Sequence, residues 1–251
     1  MADMPRSLDR VSFWLSHPQV PYVEVLHAMG ARHLLIDLEH GAFDLTVLDQ
    51  FLALVKALGF TVLVKTLAPT TEAIQQVLDF GADGAIVPHL GDIAHARNVL
   101  AAGKFPPLGL RSYSGGRSAG YQRATGTYFE DTNRRVKTYA MIETAESLAD
   151  VEAIAALDTV DGLFPGPSDL ALARGRGAYT FTDGDRTDLT RVAVAARAAG
   201  KPWIMPGWTP AERIFALEQG AQRIVVASQH GVVRAGVNAT LDALRRDAII
   251  E

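Results

Sequence analysis

The sequence predicts a (β/α)₈ barrel, an α/β fold, and three features of the chain carry that prediction. Eight short segments are almost entirely apolar, which is typical of strands in a parallel sheet that is covered on both faces. Segments of helical character and suitable length alternate with these strands. Several of the helical segments end at a glycine that directly precedes the next strand, because glycine takes the left-handed conformation that closes a helix.

The elements follow one another from residue 11 to residue 246. Strands are predicted at residues 11–15, 34–37, 61–65, 85–88, 138–142, 160–164, 203–206 and 223–227. Helices are predicted at residues 18–29, 45–58, 71–80, 93–102, 145–156, 188–199, 210–219 and 231–246. The glycines predicted to end helices are Gly30, Gly59, Gly81, Gly200 and Gly220.

An open, doubly wound sheet is the alternative fold class. It is disfavoured because no Gly-x-Gly-x-x-Gly motif follows the first strand and the repeat continues to the end of the chain. Residues 103–137 and 173–179 interrupt the repeat and are predicted to be loops; the longer one is either functional or a variable insertion. No linker divides the chain, so residues 1–251 are expected to form one domain.

Composition excludes several classes of protein. The formal net charge of −4 is evenly spread, which gives no support for a nucleic-acid or membrane-surface partner. The chain contains no cysteine, so a metal would be held by oxygen or imidazole ligands. No secretion signal is evident in residues 1–10 and no apolar run reaches about 18 residues, so a soluble cytoplasmic protein is expected.

Candidate site residues stand where the predicted strands end, since active sites of parallel α/β folds lie at the carboxyl ends of the strands. Glu143 and Asp169 follow adjacent strands, and two such carboxylates can hold Mg²⁺ or a similar divalent ion together with substrate and water. The alternative is that both carboxylates merely stand at helix starts, where the helix dipole favours them.

Three titratable residues, Asp37, Glu39 and His40, follow the second predicted strand. His40 can serve as a general base that Asp37 or Asp79 orients, or it is a solvated loop histidine. Lys65, at the end of the third strand, can bind a substrate carboxylate, stabilise an enolate or form a Schiff base; alternatively its side chain reaches solvent.

The chain resembles the HpcH/HpaI aldolase family, which contains metal-dependent class II pyruvate aldolases acting on 4-hydroxy-2-oxo acids. The most specific match is Gly166-Pro-Ser-Asp-Leu170 together with the upstream pair Ile142-Glu143. The similarity runs from about the first strand to the last helix, in the family's order. It is carried by residues 35–41, 78–84, 105–111, 141–143, 160–170 and 200–202.

The resemblance implies a role for several positions. Glu143 and Asp169 match the family's metal ligands, for Mg²⁺, Mn²⁺ or Co²⁺, and His40 matches its catalytic base. Asp79 matches an acidic residue that assists this histidine. The pocket for the pyruvyl carboxylate is matched by Gly166, Pro167 and Ser168. The family barrel also exchanges its last helix between subunits, which implies a homo-oligomer, trimer or hexamer, with residues 232–246 at an interface.

Three positions depart from the family pattern. Lys65 stands where the family usually has arginine, so the bidentate fork is lost while the charge is kept. Met141 replaces a common glutamine, and Trp208 brings a bulky aromatic ring toward the entrance. Acceptor preference is therefore expected to differ from that of the familiar members, with Arg111 and the loop after it shaping the aldehyde side.

The expected function is a divalent-metal-dependent carbon–carbon lyase that cleaves or forms 4-hydroxy-2-oxo acids, with pyruvate or a close 2-oxo acid as the enolate-forming product. Its substrates would be a small-molecule 2-oxo acid and an aldehyde. A citryl-type lyase, an oxaloacetate decarboxylase and a catalytically silent relative that binds a 2-oxo acid are the alternatives.

Overall fold

Eight parallel strands form a nearly closed barrel in the computed structural model, which describes residues 8–251. The strands are β1 (Val11–Leu15), β2 (His33–Asp37), β3 (Thr61–Lys65), β4 (Gly84–Val87), β5 (Lys137–Ile142), β6 (Gly162–Pro165), β7 (Ile204–Pro206) and β8 (Arg223–Ser228). They pair in the order β6-β5-β4-β3-β2-β1-β8-β7. A single parallel bridge between Leu163 and Trp203 joins the two ends of this sheet, so the predicted (β/α)₈ barrel is confirmed.

Helices cover the outside of the barrel. They are α1 (Val20–Ala28), α2 (Leu45–Ala57), α3 (Thr71–Asp79), α4 (Ile93–Leu100), α5 (Tyr128–Arg135), α6 (Ala145–Ala149), α7 (Val151–Ala155), α8 (Pro167–Ala173), α9 (Asp183–Ala198), α10 (Pro210–Glu218) and α11 (Gln229–Arg246). The glycines predicted to end helices all have positive φ angles, between 66° and 98°. The left-handed conformation at these glycines therefore turns the chain from helix into strand, as the sequence indicated.

The segment 103–137 is more ordered than a loop. It contains α5 and a short 3₁₀ helix at Arg117–Ala119, neither of which the sequence pattern indicated. The Asn133 side chain accepts a hydrogen bond from the Phe105 N–H and donates one to the Phe105 carbonyl, at 2.7 and 3.0 Å. The ring of Phe105 packs edge-on against that of Phe129, 5.0 Å away. These contacts between distant parts of the segment stabilise a helix whose own sequence is mostly polar.

Other boundaries differ from the prediction in ways that bear on the site. The predicted helix 145–156 is divided at Asp150 into α6 and α7, and α9 begins five residues earlier than expected, at Asp183. An additional helix, α8, follows β6 directly. Proline at its first position, whose missing N–H would have no helical partner, makes this start favourable.

The barrel interior is filled by alternate residues of the strands. This inner cluster consists of Trp14, Leu35, Leu63, Ile86, Tyr139, Met141, Phe164, Ile204 and Val225. Side chains two positions apart on a strand point to the same face, so Asp37, Lys65 and Glu143 continue the inner cluster toward the carboxyl ends. A hydrophobic interior thus ends in a polar layer at the edge where chemistry is expected.

No helix within residues 8–251 is long and apolar enough to cross a membrane. Residues 1–7, on which most of the expectation about a secretion signal rests, lie outside the described residues.

Candidate active site

A cavity of about 230 Å³ opens at the carboxyl ends of the strands. Its lining residues are Trp14, His40, Lys65, Met141, Phe164, Gly166, Pro167, Ser168, Asp169, Pro206 and Trp208. Larger depressions lie elsewhere: one of about 460 Å³ beside α9 and α10, one of about 430 Å³ at the amino ends of the strands, and two of about 270 and 250 Å³ on the outer surface beside α3 and α2. The smaller cavity is the candidate active site because residues that the sequence singled out line it: His40, Lys65, Asp169, Trp208 and residues 166–168. Glu143 is not among the lining residues, but its carboxylate lies next to Gly166, which is.

Asp37 organises the turn that carries His40. Its Oδ1 accepts hydrogen bonds from the backbone N–H groups of Glu39 and His40, at 3.1 and 3.2 Å. Its Oδ2 accepts one from Trp14 Nε1 at 3.1 Å. The turn is so tight that a Cβ on Gly41 would lie 2.0 Å from the Asp37 carbonyl oxygen. Asp37 therefore fixes the backbone below His40 and is not a free base.

Glu39 is the centre of a charged network. One carboxylate oxygen lies 2.5 Å from Lys65 Nζ, and the other contacts the Nε2 atoms of His89 and, at 3.5 Å, His40. Burial by itself raises the pKa of the Glu39 carboxyl, but Lys65 and His89 outweigh that effect and the net pKa lies below its ordinary value. Lys65 is only 2% exposed, so the alternative that it reaches solvent is wrong.

Glu143 presents an unpaired carboxylate oxygen in the interior. Its Oε1 accepts a hydrogen bond from the His89 backbone N–H at 2.7 Å, whereas its buried Oε2 has no partner among the described residues. A Cβ on Gly166 would lie 2.5 Å from that Oε2, so glycine keeps the space beside it open. Burial raises the pKa of the Glu143 carboxyl, and the neighbouring Asp169 carboxylate raises it further.

These two carboxylates fit a divalent cation. Burying an unpaired carboxylate oxygen next to a second carboxylate is unfavourable in free energy. A cation between the two carboxylates would offset both the burial of the charge and the repulsion between them. Residues 8–251 contain no group of three or more metal-ligating side chains. The chain itself would therefore supply two oxygens and leave other positions to substrate and water, which is the coordination that Mg²⁺ prefers in substrate complexes.

The helix-start alternative is only half correct. The N-terminal cap of α6 is Thr144, whose side chain accepts a hydrogen bond from the Ser147 N–H at 2.9 Å, so Glu143 does not cap this helix. Asp169 does stand in the first turn of α8, and it lines the cavity as well.

Asp79 and Arg111, which were expected at the active site, lie outside this cavity. Arg111 Nη2 donates a hydrogen bond to Asp79 Oδ1 at 2.8 Å, and the Arg111 guanidinium stacks 4.7 Å from the Phe105 ring centroid. Neither Asp79 nor Arg111 is among the cavity-lining residues. Asp79 ends α3, and helices of a barrel end at the amino side of the sheet, away from His40. Within one chain Asp79 thus pairs with Arg111 rather than assisting His40.

His89 also belongs to the site, although no role was predicted for it from the sequence. This residue connects the two acidic residues of the site, because its ring contacts Glu39 and its backbone N–H binds Glu143. Its φ of 50° is unusual for a residue other than glycine. The available signal was its place two residues beyond β4, at the same edge as the other strand-end residues.

Comparison with known proteins identifies relatives over nearly the whole chain. A family model described as HpcH/HpaI aldolase/citrate lyase matches residues 10–235. The chain is 31% identical over 240 residues to a 5-keto-4-deoxy-D-glucarate aldolase of Salmonella arizonae, covering 94% of this chain and 93% of that one. It is 30% identical over 232 residues to a 2-dehydro-3,6-dideoxy-6-sulfogluconate aldolase of Pseudomonas putida, covering 92% and 91%.

The fold is shared as well. The crystal structure of an HpcH/HpaI aldolase/citrate lyase family protein from Burkholderia cenocepacia matches with a TM-score of 0.85 and 26% identity, covering 94% of each chain. The family match spans residues 10–235, which is most of the chain. The chain therefore belongs to the HpcH/HpaI aldolase/citrate lyase family.

Proposed function

We propose that this protein is a divalent-metal-dependent aldolase that cleaves or forms 4-hydroxy-2-oxo acids, with pyruvate or a close 2-oxo acid as one product. The observation that carries the proposal is the buried, unpartnered Oε2 of Glu143, next to Gly166 of a cavity that Asp169 and His40 line. Family membership and the two aldolases among its relatives support the same reaction class.

Glu143 and Asp169 would hold the cation, which supplies Lewis-acid stabilisation of the negative charge that develops on the 2-oxo acid. Gly166, Pro167 and Ser168 would form the pocket for the substrate carboxylate, since all three line the cavity. Pro167 has no N–H, so the backbone donors there would be those of Gly166 and Ser168. The absence of a side chain on Gly166 leaves space for the substrate beside Glu143.

His40 would accept the proton of the 4-hydroxyl group as the carbon–carbon bond breaks, and it would return a proton in the synthetic direction. Its side chain is 63% exposed at the cavity mouth, so it can exchange that proton with solvent. Lys65 adds positive charge inside the cavity, held in place by Glu39. A Schiff base through Lys65 is disfavoured because its ammonium is committed to this ion pair.

The test is release of pyruvate from 4-hydroxy-2-oxo acids in the presence of Mg²⁺, Mn²⁺ or Co²⁺, with and without a chelator. We expect chelator-sensitive turnover that falls by about 10²-fold or more in Glu143→Gln and Asp169→Asn, on the scale of lost charge stabilisation. Metal binding without turnover on a broad substrate panel would overturn the proposal. Chelator-resistant activity that borohydride traps would instead indicate Schiff-base chemistry.

Decarboxylation of oxaloacetate is a second reaction that the same two carboxylates could support. The family description includes citrate lyase, so enolate chemistry on this barrel is not restricted to aldol cleavage. Release of CO₂ from oxaloacetate at a rate above pyruvate release from all 4-hydroxy-2-oxo acids would favour this alternative.

We also propose that the chain forms a homo-oligomer through α11. Of the residues in this helix only Gln229 is buried, and Val232, Val233 and Val237 are exposed. A second copy of the chain would cover these apolar side chains. Light scattering should give a trimer or hexamer, and a monomeric mass at micromolar concentration would contradict the proposal.

A further inference from the structure

One wall of the candidate active site is apolar. Met141 and Phe164 belong to the barrel interior, Pro206 ends β7, and Trp208 lies two residues after it. Trp14 contacts both the interior and the entrance residues of this wall, because its ring centroid lies 6.1 Å from that of Phe164 and 6.3 Å from that of Trp208. The Nε1–H of Trp14 is bonded to the buried carboxylate below it, so this ring offers the cavity mainly its apolar surface.

The apolar wall and the charged groups come largely from different strands, and they meet where Lys65 Nζ lies 6.0 Å from the Trp14 ring centroid. Glu143 and Asp169 lie at the ends of β5 and β6, while His40 and Lys65 belong to β2 and β3. The wall is formed by β7 and β1 with the inner residues of β5 and β6. A 2-oxo acid held at the carboxylates therefore has His40 across the cavity and aromatic rings beside it.

Positive charge in the cavity is already engaged. Among the lining residues of the described chain, the side chains that can be cationic are His40 and Lys65. Lys65 Nζ is paired with Glu39, and His40 lies 3.5 Å from the same carboxylate. Arg111, expected from the sequence to shape this side, is bonded to Asp79 instead. No lining guanidinium or ammonium is left for a second anionic group on the substrate.

We propose that the aldehyde partner of this enzyme carries an apolar or aromatic substituent, rather than a hydroxylated chain that ends in an anionic group. This inference rests on the proposed aldolase function. The reaction joins C3 of the 2-oxo acid to the aldehyde carbon, and the proton lost at C3 is balanced by the proton gained at the new 4-hydroxyl. The substituent on the aldehyde carbon is then transferred from water to the apolar wall of Trp14, Phe164 and Trp208. This transfer is favourable for apolar substituents.

The experiment uses the full-length, metal-loaded enzyme with pyruvate and three probe aldehydes: benzaldehyde, glyceraldehyde and glyoxylate. We expect kcat/KM for benzaldehyde to exceed that for the other two by about tenfold or more, on the scale that an apolar pocket discriminates. Trp208→Ala should lower kcat/KM for benzaldehyde about tenfold and change the value for glyoxylate less than twofold. Met29→Ala, at an exposed apolar side chain outside the cavity, is the matched control and should change neither.

Exchange of the pyruvate methyl protons in D₂O separates this inference from the function on which it rests, because exchange needs no aldehyde. Wild type and the Met29→Ala control should exchange at the same rate, and absence of metal-dependent exchange in the wild type would mean that the aldolase proposal has failed. Normal exchange with a preference for glyoxylate or glyceraldehyde would overturn only the apolar-acceptor proposal. Equal loss of activity toward all three aldehydes in Trp208→Ala would also overturn it.

Discussion

The space beside Gly166 gives the sharpest test of the metal site. A Cβ at this position would lie 2.5 Å from Glu143 Oε2, 2.7 Å from Met141 Cε and 2.8 Å from Glu143 Cβ. The φ of Gly166 is −101°, so Gly166→Ala introduces no left-handed strain, and its effect on the folded state is steric. The Met141 methyl and the carboxylate can swing away, but Glu143 Cβ is next to the backbone and forces β5 and β6 apart.

The expected magnitudes follow from these overlaps. Overpacking of this kind costs about 1–3 kcal/mol of unfolding free energy. Displacement of a ligand carboxylate by a few tenths of an ångström should weaken metal binding about 10–100-fold, the range seen when the support of a ligand is lost. Calorimetric titration with Mn²⁺ measures the second effect, and urea unfolding with chelator present measures the first.

Gly115→Ala is the matched control. The nearest atom to a Cβ at Gly115 is 3.7 Å away, and both substitutions remove the same backbone freedom from the unfolded chain. The difference between the two variants therefore isolates the clash at Glu143. A Gly166→Ala protein that binds Mn²⁺ with the wild-type Kd would refute the assignment of Glu143 Oε2 as a ligand.

Three further predictions concern buried charges. Lys65→Met should lower the free energy of unfolding, measured with urea, by about 3 kcal/mol because it leaves Glu39 without the Lys65 ammonium. Lys65→Met/Glu39→Gln should recover part of that loss. Equal destabilisation by the single and double variants would contradict this. Burial, with Arg223 second, lowers the pKa of His33 from 6.5 to about 4. Since the unfolded chain binds the proton more tightly, the unfolding free energy should fall as pH drops through that window, by about 1.5 kcal/mol after allowance for the half-buried ring. His33→Asn should remove this part of the slope, and an unchanged slope would exclude His33 as its source. Lys104→Met should lower the free energy of unfolding by about 3 kcal/mol, because the buried Nζ donates two hydrogen bonds of 2.7 Å to backbone carbonyls and pairs with the Asp161 carboxylate. A melting temperature within 1 °C of wild type would contradict this expectation.

The sequence by itself determined the barrel and the edge of the barrel at which the candidate site lies. Both depend on local signals: apolar strands that need cover on two faces, and glycines whose left-handed conformation ends several of the helices. Because the carboxyl ends of parallel strands converge, Glu143, Asp169, His40 and Lys65 could be assigned to one site before any distance was known.

Only the tertiary structure decided which of these side chains contact one another. Glu39 and Lys65 are 26 positions apart and Glu39 and His89 are 50 apart, so no periodicity in the chain relates them. The pairing of Arg111 with Asp79 and the order of α5 likewise depend on contacts across the segment 103–137 and its neighbours. Sequence patterns report which face of an element is buried, whereas ion pairs depend on distances between elements, which packing alone sets.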